Sequence, residues 1–174
     1  WAALQPLQLG LIAEGNRSWQ VQFWPDKKNL VARQVEALLN SKPQLSGEDL
    51  QQASVVVQGL SAYEYLLFDA SVDLSQSAGK TRYCPLLQSI AQHQKLLADE
   101  IFADWQAADG ITHQLESFPN PRYSNAREAI AALLRAQVIG LDVMKKKLGT
   151  PLGVNSKGTP QPYQADSWRR GGSL

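Results

Sequence analysis

A single cysteine, Cys84, in a chain of 174 residues leaves no intramolecular disulfide and no thiolate cluster to build on. There are only two histidines, His93 and His113, and they stand in unrelated segments. The chain therefore has no His-Glu-x-x-His run of the zinc peptidases, no Glu-x-x-His pair of the carboxylate-bridged di-metal type and no nucleophile elbow. Charge of one sign is missing as well: 17 Lys and Arg stand against 16 Asp and Glu, for a net charge of +1. Nothing in that balance steers the chain toward nucleic acid or an anionic membrane. No apolar run approaches the roughly 18 residues of a membrane-spanning helix. Hairpin signals and the βαβ pattern are both absent.

What remains is helical periodicity. Leu4, Leu7, Leu11 and Ile12 have helical spacing, with Pro6 in a first turn or at a kink and Gly15 as a stop. Trp19, Val21 and Phe23 alternate, which suits an extended segment. Pro25 disfavours a helical Trp24, and Asp26 is placed to cap the next helix. That helix covers residues 27–40, with Val31, Val35, Leu38 and Leu39 inward. Asp69 to Lys80 reads as a small-polar loop. A long helix over 81–107 comes next, with Pro85 in its first turn and Leu86, Leu87, Ile90, Leu97, Ile101 and Trp105 as its inner stripe. His93 flanks that stripe and has no Glu or His at ligand spacing within its helix, so it reads as a hydrogen-bonded histidine rather than a ligand. Residues 108–125, with two prolines and no sustained period, read as a long connection. The last clear helix covers 125–148: Ser124 is a candidate cap, and Ala126, Ile130, Leu133, Leu134, Val138, Leu141 and Leu148 are the expected buried side. Lys145, Lys146 and Lys147 read as a solvated helix end that complements the helix dipole. Gly149 and Pro151 stop it.

The stretch from Ser46 to Asp69, SGEDLQQASVVVQGLSAYEYLLFD, is the expected centre of the molecule. Ser46 and Asp49 make a near capping box, and the segment reads as one helix, apolar nearly all round and so buried among other helices. Leu50, Ala53, Val57, Leu60, Leu67 and Phe68 share one face. Glu64 lies on that face, one turn from Leu60 and from Phe68, with Ser61 three residues before it. A carboxylate taken into an apolar interior costs several kcal/mol, roughly, unless it is paired or protonated. Glu64 is thus either a structural group bonded to an arginine or backbone partner, or part of a binding or metal site. Arg82 is a candidate partner if the two helices run antiparallel.

Taken together, several segments resemble the imelysin-like family. Gly59 to Asp69, GLSAYEYLLFD, is similar to the family's Gly-x-His-x-x-Glu motif, with Gly59 and Glu64 in place and Ser61 where the family has histidine. Trp24-Pro25 ahead of a helix, Arg82-Tyr83-Cys84 at the start of another, and Lys147-Leu148-Gly149-Thr150-Pro151-Leu152-Gly153 come in the family's order. The resemblance covers nearly the whole chain. It implies an all-α, up-and-down helical bundle that is the first half of a duplicated, two-lobed protein. On that view 1–149 is the first bundle, and 150–174 leads into a second half. The start at Trp1 and the approach of another helix in Ser167–Leu174 fit the expectation of a processed or partial chain.

The resemblance also implies an exported bacterial protein, in the periplasm or anchored at the outer membrane, connected with uptake of iron or another divalent metal. Three functions stand open: a non-catalytic envelope protein binding a metal or small polar ligand, a metallopeptidase of the imelysin type, and a structural or interaction module without a small ligand. Partners beyond a ligand or metal would be another envelope protein or the chain's own second half. Serine at position 61 moves the weight to the first. A His and a Glu one turn apart can jointly hold a metal or move a proton, whereas a serine hydroxyl is a weak ligand and, without a base, a weak nucleophile. Candidate ligand-binding residues are Ser61, Glu64, Trp24, Arg82 and Arg169, with Glu64 also the candidate metal ligand. Arginine forks would suit a carboxylate or sugar acid.

Overall fold

The computed structural model describes residues 17–42, 45–154 and 157–166. The predicted helix over the first fifteen residues and the candidate Arg169 lie outside them. Among the described residues every regular element is helical, as expected: α1 (Arg17–Val21), α2 (Leu30–Ser41), α3 (Gly47–Gln52), α4 (Leu60–Phe68), α5 (Ser77–Gln106), α6 (Ile111–Glu116) and α7 (Ala126–Gly149), with short 3-10 turns at Val55–Val57 and Pro162–Gln164. The chain divides into two compact units. One comprises Trp19–Lys95 with the residues from Lys146 on, the other Leu96–Lys145 with the residues up to Ser18.

The first of these units is a helical bundle around one core. Val31, Val35 and Leu39 of α2 meet Leu50 of α3, Val56 and Val57 of the 3-10 turn, Ala62, Tyr65 and Leu66 of α4, and Leu86 and Ile90 of α5. The inward stripe expected for α2 is the one observed. Asp26 caps it as predicted, its carboxylate accepting from Leu30 N–H at 2.6 Å and Val31 N–H at 3.0 Å. Two of the donors that every helix start leaves without an intrahelical partner are satisfied in this way, by a negative charge placed at the positive end of the dipole. The capping box at α3 also forms. Ser46 Oγ accepts from Asp49 N–H at 3.2 Å, and the Asp49 carboxylate accepts from Ser46 N–H at 2.9 Å.

The stretch 46–69 is not one helix. It breaks after Gln52 and again at Gly59. Three consecutive β-branched residues, Val55 to Val57, are stiff at χ1 and weaken helix propagation, and Ser54 offers its hydroxyl to Val56 N–H at 3.4 Å. One side chain meets three carbonyls at the break. Gln58, only 1% exposed, donates its Nε2 to the carbonyls of Leu50, Gln51 and Ala53 at 3.0, 3.1 and 2.9 Å. The break resets the helical phase. The core-facing residues of α4 are accordingly Ala62, Tyr65 and Leu66, while Leu67 and Phe68, expected inside, are exposed.

Three other boundaries differ from the sequence expectation. Residues 17–21 form a turn of helix rather than an extended segment, with Val21 buried. The long helix starts four residues early, at Ser77, so Pro85 stands in its interior. The expected inner stripe of that helix is nonetheless right: Leu86, Ile90, Leu97 and Ile101 are buried. The connection 108–125 contains α6, and its remainder is ordered by Asn120. That side chain donates to the carbonyls of Gln114 at 2.7 Å and Ser117 at 2.8 Å and accepts from the N–H groups of Arg122 at 2.9 Å and Tyr123 at 2.8 Å.

On α7 the face is inverted. Ala129 and Ala136 are buried, whereas Ile130, Leu133, Leu134, Val138, Leu141 and Leu148, the expected core side, are exposed. The small residues permit closer backbone approach than the branched ones, and both faces are apolar enough to satisfy a periodicity rule. Asn125 rather than Ser124 supplies the cap, accepting from Glu128 N–H at 3.2 Å.

Replacing Gln58 with leucine keeps the volume and removes the side-chain donor from three carbonyls, of which Leu50 O keeps the Ala53 N–H at 3.1 Å. The expected loss of stability is about 2–4 kcal/mol, measured as a shift in the urea midpoint with the slope unchanged.

Candidate functional site

The motif residues come together at the start of α4. Gly59 precedes the helix in an extended conformation. A Cβ there would lie 2.6 Å from the carbonyl oxygens of both Gln20 and Val21. Only glycine therefore lets α4 begin against the end of α1. Two side chains fix that approach. Gln94 donates its Nε2 to Gln20 O at 2.8 Å and to Gln58 O at 3.1 Å. Ser61, in the first turn of α4, donates its hydroxyl to Phe23 O at 2.9 Å. The serine of the motif thus holds the segment that carries Trp24 and Pro25.

Trp24 is half-buried and donates its ring N–H to Gln164 O at 3.1 Å. Lys147 lies over the indole, its Nζ 5.4 Å from the ring centroid. The same ammonium donates to Asp166 at 2.8 Å and to Gln22 Oε1 at 3.1 Å, and Gln22 donates to the other Asp166 oxygen. Lys147 is not a solvated helix end, since its side chain is only 16% exposed. Turns after α7 bring Gln164 and Asp166 back to it. Gly153 has φ +81°, and a Cβ on it would meet the Thr159 carbonyl carbon at 2.7 Å, so glycine is needed where the chain folds on itself.

Glu64 sits on the turn of α4 after Ser61 and is half-buried rather than sealed in the core. Its expected partner is engaged elsewhere. Arg82 is exposed on α5 and donates to Glu36 at 2.8 Å and to Asn40 at 2.8 Å. Glu36 also accepts from the phenols of Tyr65 at 3.1 Å and Tyr83 at 3.2 Å. Burial pushes the Tyr65 phenol above its ordinary range. A hydrogen bond with Ser71 opposes that shift, and the nearby Glu36 charge adds to it. The structure therefore joins Ser61 to the Trp24 segment, leaves Arg82 with Glu36, and adds Glu36, Gln94, Lys147 and Asp166, none of which the sequence singled out as a site residue. Glu36 directly follows the buried Val35, and that adjacency was the one available signal for it.

Chemically, this arrangement braces more than it activates. A serine nucleophile hands its proton to a base, whereas the Ser61 proton is on a backbone carbonyl. Among the described residues no three His, Cys, Asp or Glu side chains gather as a metal site. No helix of the described residues is long and apolar enough to cross a membrane.

An all-α bundle with a glycine-started helix locked to a Trp-Pro segment defines the class. The chain belongs to the imelysin family, whose model, described as Imelysin, matches residues 1–174. No curated protein and no solved structure matches the chain.

The Tyr65 phenol carries a pH prediction. The native state holds that proton more tightly than the unfolded chain, whose tyrosines titrate near about 10. Its contribution to stability is constant below that pH and falls as pH climbs toward the raised value. Tyr65→Phe should cost about 1 kcal/mol at neutral pH and make the alkaline loss of stability shallower, as read by denaturant titrations from neutral pH upward.

Proposed function

We propose that this chain is a non-catalytic member of the imelysin family, exported to the cell envelope, that binds a small polar ligand or a metal such as iron in connection with uptake. The observation that carries the reading is the Ser61 hydroxyl. It stands where the motif has histidine, and it is spent on the Phe23 carbonyl. One imidazole ligand and one potential base are thereby replaced by a strut. Glu64 keeps a half-buried carboxylate on a turn held rigid by Gly59, Gln94 and Ser61, which suits recognition of a polar group more than turnover. With one carboxylate on that turn and no imidazole beside it, a small polar ligand fits better than a tightly held metal. The envelope location and the link to uptake rest on the family's character.

An interaction module is the second reading. The observation that favours it is the exposed apolar face of α7.

Isothermal calorimetry with ferrous and zinc ions should show no tight site in the native chain, and Ser61→His should create or strengthen one. Denatured protein substrates should survive incubation uncut. Cleavage that disappears in Glu64→Ala would reverse the assignment to a non-enzyme.

A further inference from the structure

Two ties meet at one peptide unit. The Ser61 hydroxyl donates to Phe23 O at 2.9 Å, and that carbonyl belongs to the planar peptide leading into Trp24. From the other side, the Trp24 indole donates to Gln164 O at 3.1 Å. The Lys147 ammonium, 5.4 Å from the indole centroid, donates to Asp166 at 2.8 Å. Gln22, two residues before Trp24, accepts from Lys147 at 3.1 Å and donates to the second Asp166 oxygen. All of these residues belong to one compact unit.

Residues 157–166 form the strap that carries Gln164 and Asp166, and polar contacts rather than apolar burial fasten it. Gln164 is its one buried residue, and Tyr163, its one large ring, is 51% exposed. Lys157, Gly158, Thr159, Pro160 and Pro162 are exposed as well. The strap's backbone is tied to the turns after α7, Gly158 N–H donating to Gly153 O at 3.0 Å and Gln161 N–H to Pro151 O at 2.9 Å. A segment that puts so little apolar surface into the core opens locally, at a fraction of the global unfolding free energy. Val35 and Leu39 of α2, both in the core, stand at the other end of that scale. Lys147 belongs to α7 and does not leave with the strap. Opening therefore parts its ammonium from the Asp166 carboxylate, and a charge-assisted bond of this kind is about twice as strong as a neutral one.

We propose that residues 157–166 are a latch that opens locally, that the Lys147–Asp166 pair is its catch, and that the Ser61 hydroxyl helps to hold it shut through the Phe23–Trp24 peptide. The coupling is reciprocal. Whatever fixes the Trp24 segment from the motif side favours the docked strap, and the docked strap favours the Ser61 bond. The latch goes beyond the ligand-binding reading and does not depend on it, since every contact it uses lies within the chain.

Hydrogen exchange followed by NMR on the full 174-residue chain reads the latch without any ligand. The Trp24 indole N–H and the Gln161 amide report docking of the strap, and the Val35 and Leu39 amides report global unfolding. The first two should share one protection factor, about a hundredfold below that of the second two. Asp166→Asn should lower the protection of the Trp24 indole about tenfold and leave Val35 and Leu39 as they were. Ser61→Ala removes a bond that involves no strap residue, yet it should lower protection at Trp24 and Gln161 about threefold. Combining the two should lower it by less than the product of the single factors. Ser61→Thr keeps the hydroxyl and should keep native protection. A Trp24 indole protected as strongly as Val35 overturns the latch, and native protection in Asp166→Asn overturns the catch. The coupling is overturned if Ser61→Ala leaves the strap at native protection, lowers Val35 by the same factor, or matches Ser61→Thr, or if the double variant multiplies the two factors. None of these outcomes bears on metal or ligand binding at α4.

Discussion

Two buried amide side chains hold the bundle together where its helices stop and start. Gln58 gathers the carbonyls left at the end of α3, and Gln94 ties the end of α1 to the residue before Gly59. The side-chain oxygens of both are buried without a hydrogen-bond partner, so the carbonyls they serve dictate how the amides point. A buried carbonyl without a donor costs on the order of 1–3 kcal/mol. Removing Gln94 would take its side-chain donor from the buried Gln58 carbonyl. The carbonyls at the break from α3 to α4 are met by the Gln58 side chain.

That junction determines what the motif can do. Gly59 allows the close approach, Gln94 secures it and Ser61 completes it, so the first turn of α4 is fixed against the Trp24 segment. A second tie reaches the same segment from the other side, through the Trp24 indole, the Lys147 ammonium and the Asp166 carboxylate. Trp24 therefore carries a hydrogen bond, a cation above its ring and a neighbour bonded to Ser61. The hydroxyl and amide donors at this junction are thus engaged with backbone carbonyls.

Glu36 shows how a polar cluster forms without a motif. Its carboxylate accepts from two phenols and a guanidinium drawn from α4 and α5. Arg82 was legible as an arginine in need of an acid, but not which acid, since carboxylates on different helices satisfy the same spacing arguments. The pairing was decided by the broken helix, which turned Tyr65 inward beside α2 and left Glu64 on another side. The inverted face of α7 has a similar origin. Periodicity reports that a helix has an apolar stripe, and α7 has two, one of small residues and one of large.

The all-α class, the helix starts capped by Asp26 and by Ser46 with Asp49, the inner stripes of α2 and α5 and the family membership were all written in local pattern. Each rests on groups within a few residues of one another or on side chains recurring at the helical period, so no knowledge of distant neighbours is required. The tertiary structure alone decided which side of α7 is buried, and that Lys147 and Arg82 bond to Asp166 and Glu36. The two ion pairs bring charges together across 19 and 46 residues of sequence. Partners that far apart leave no trace in the spacing of either one.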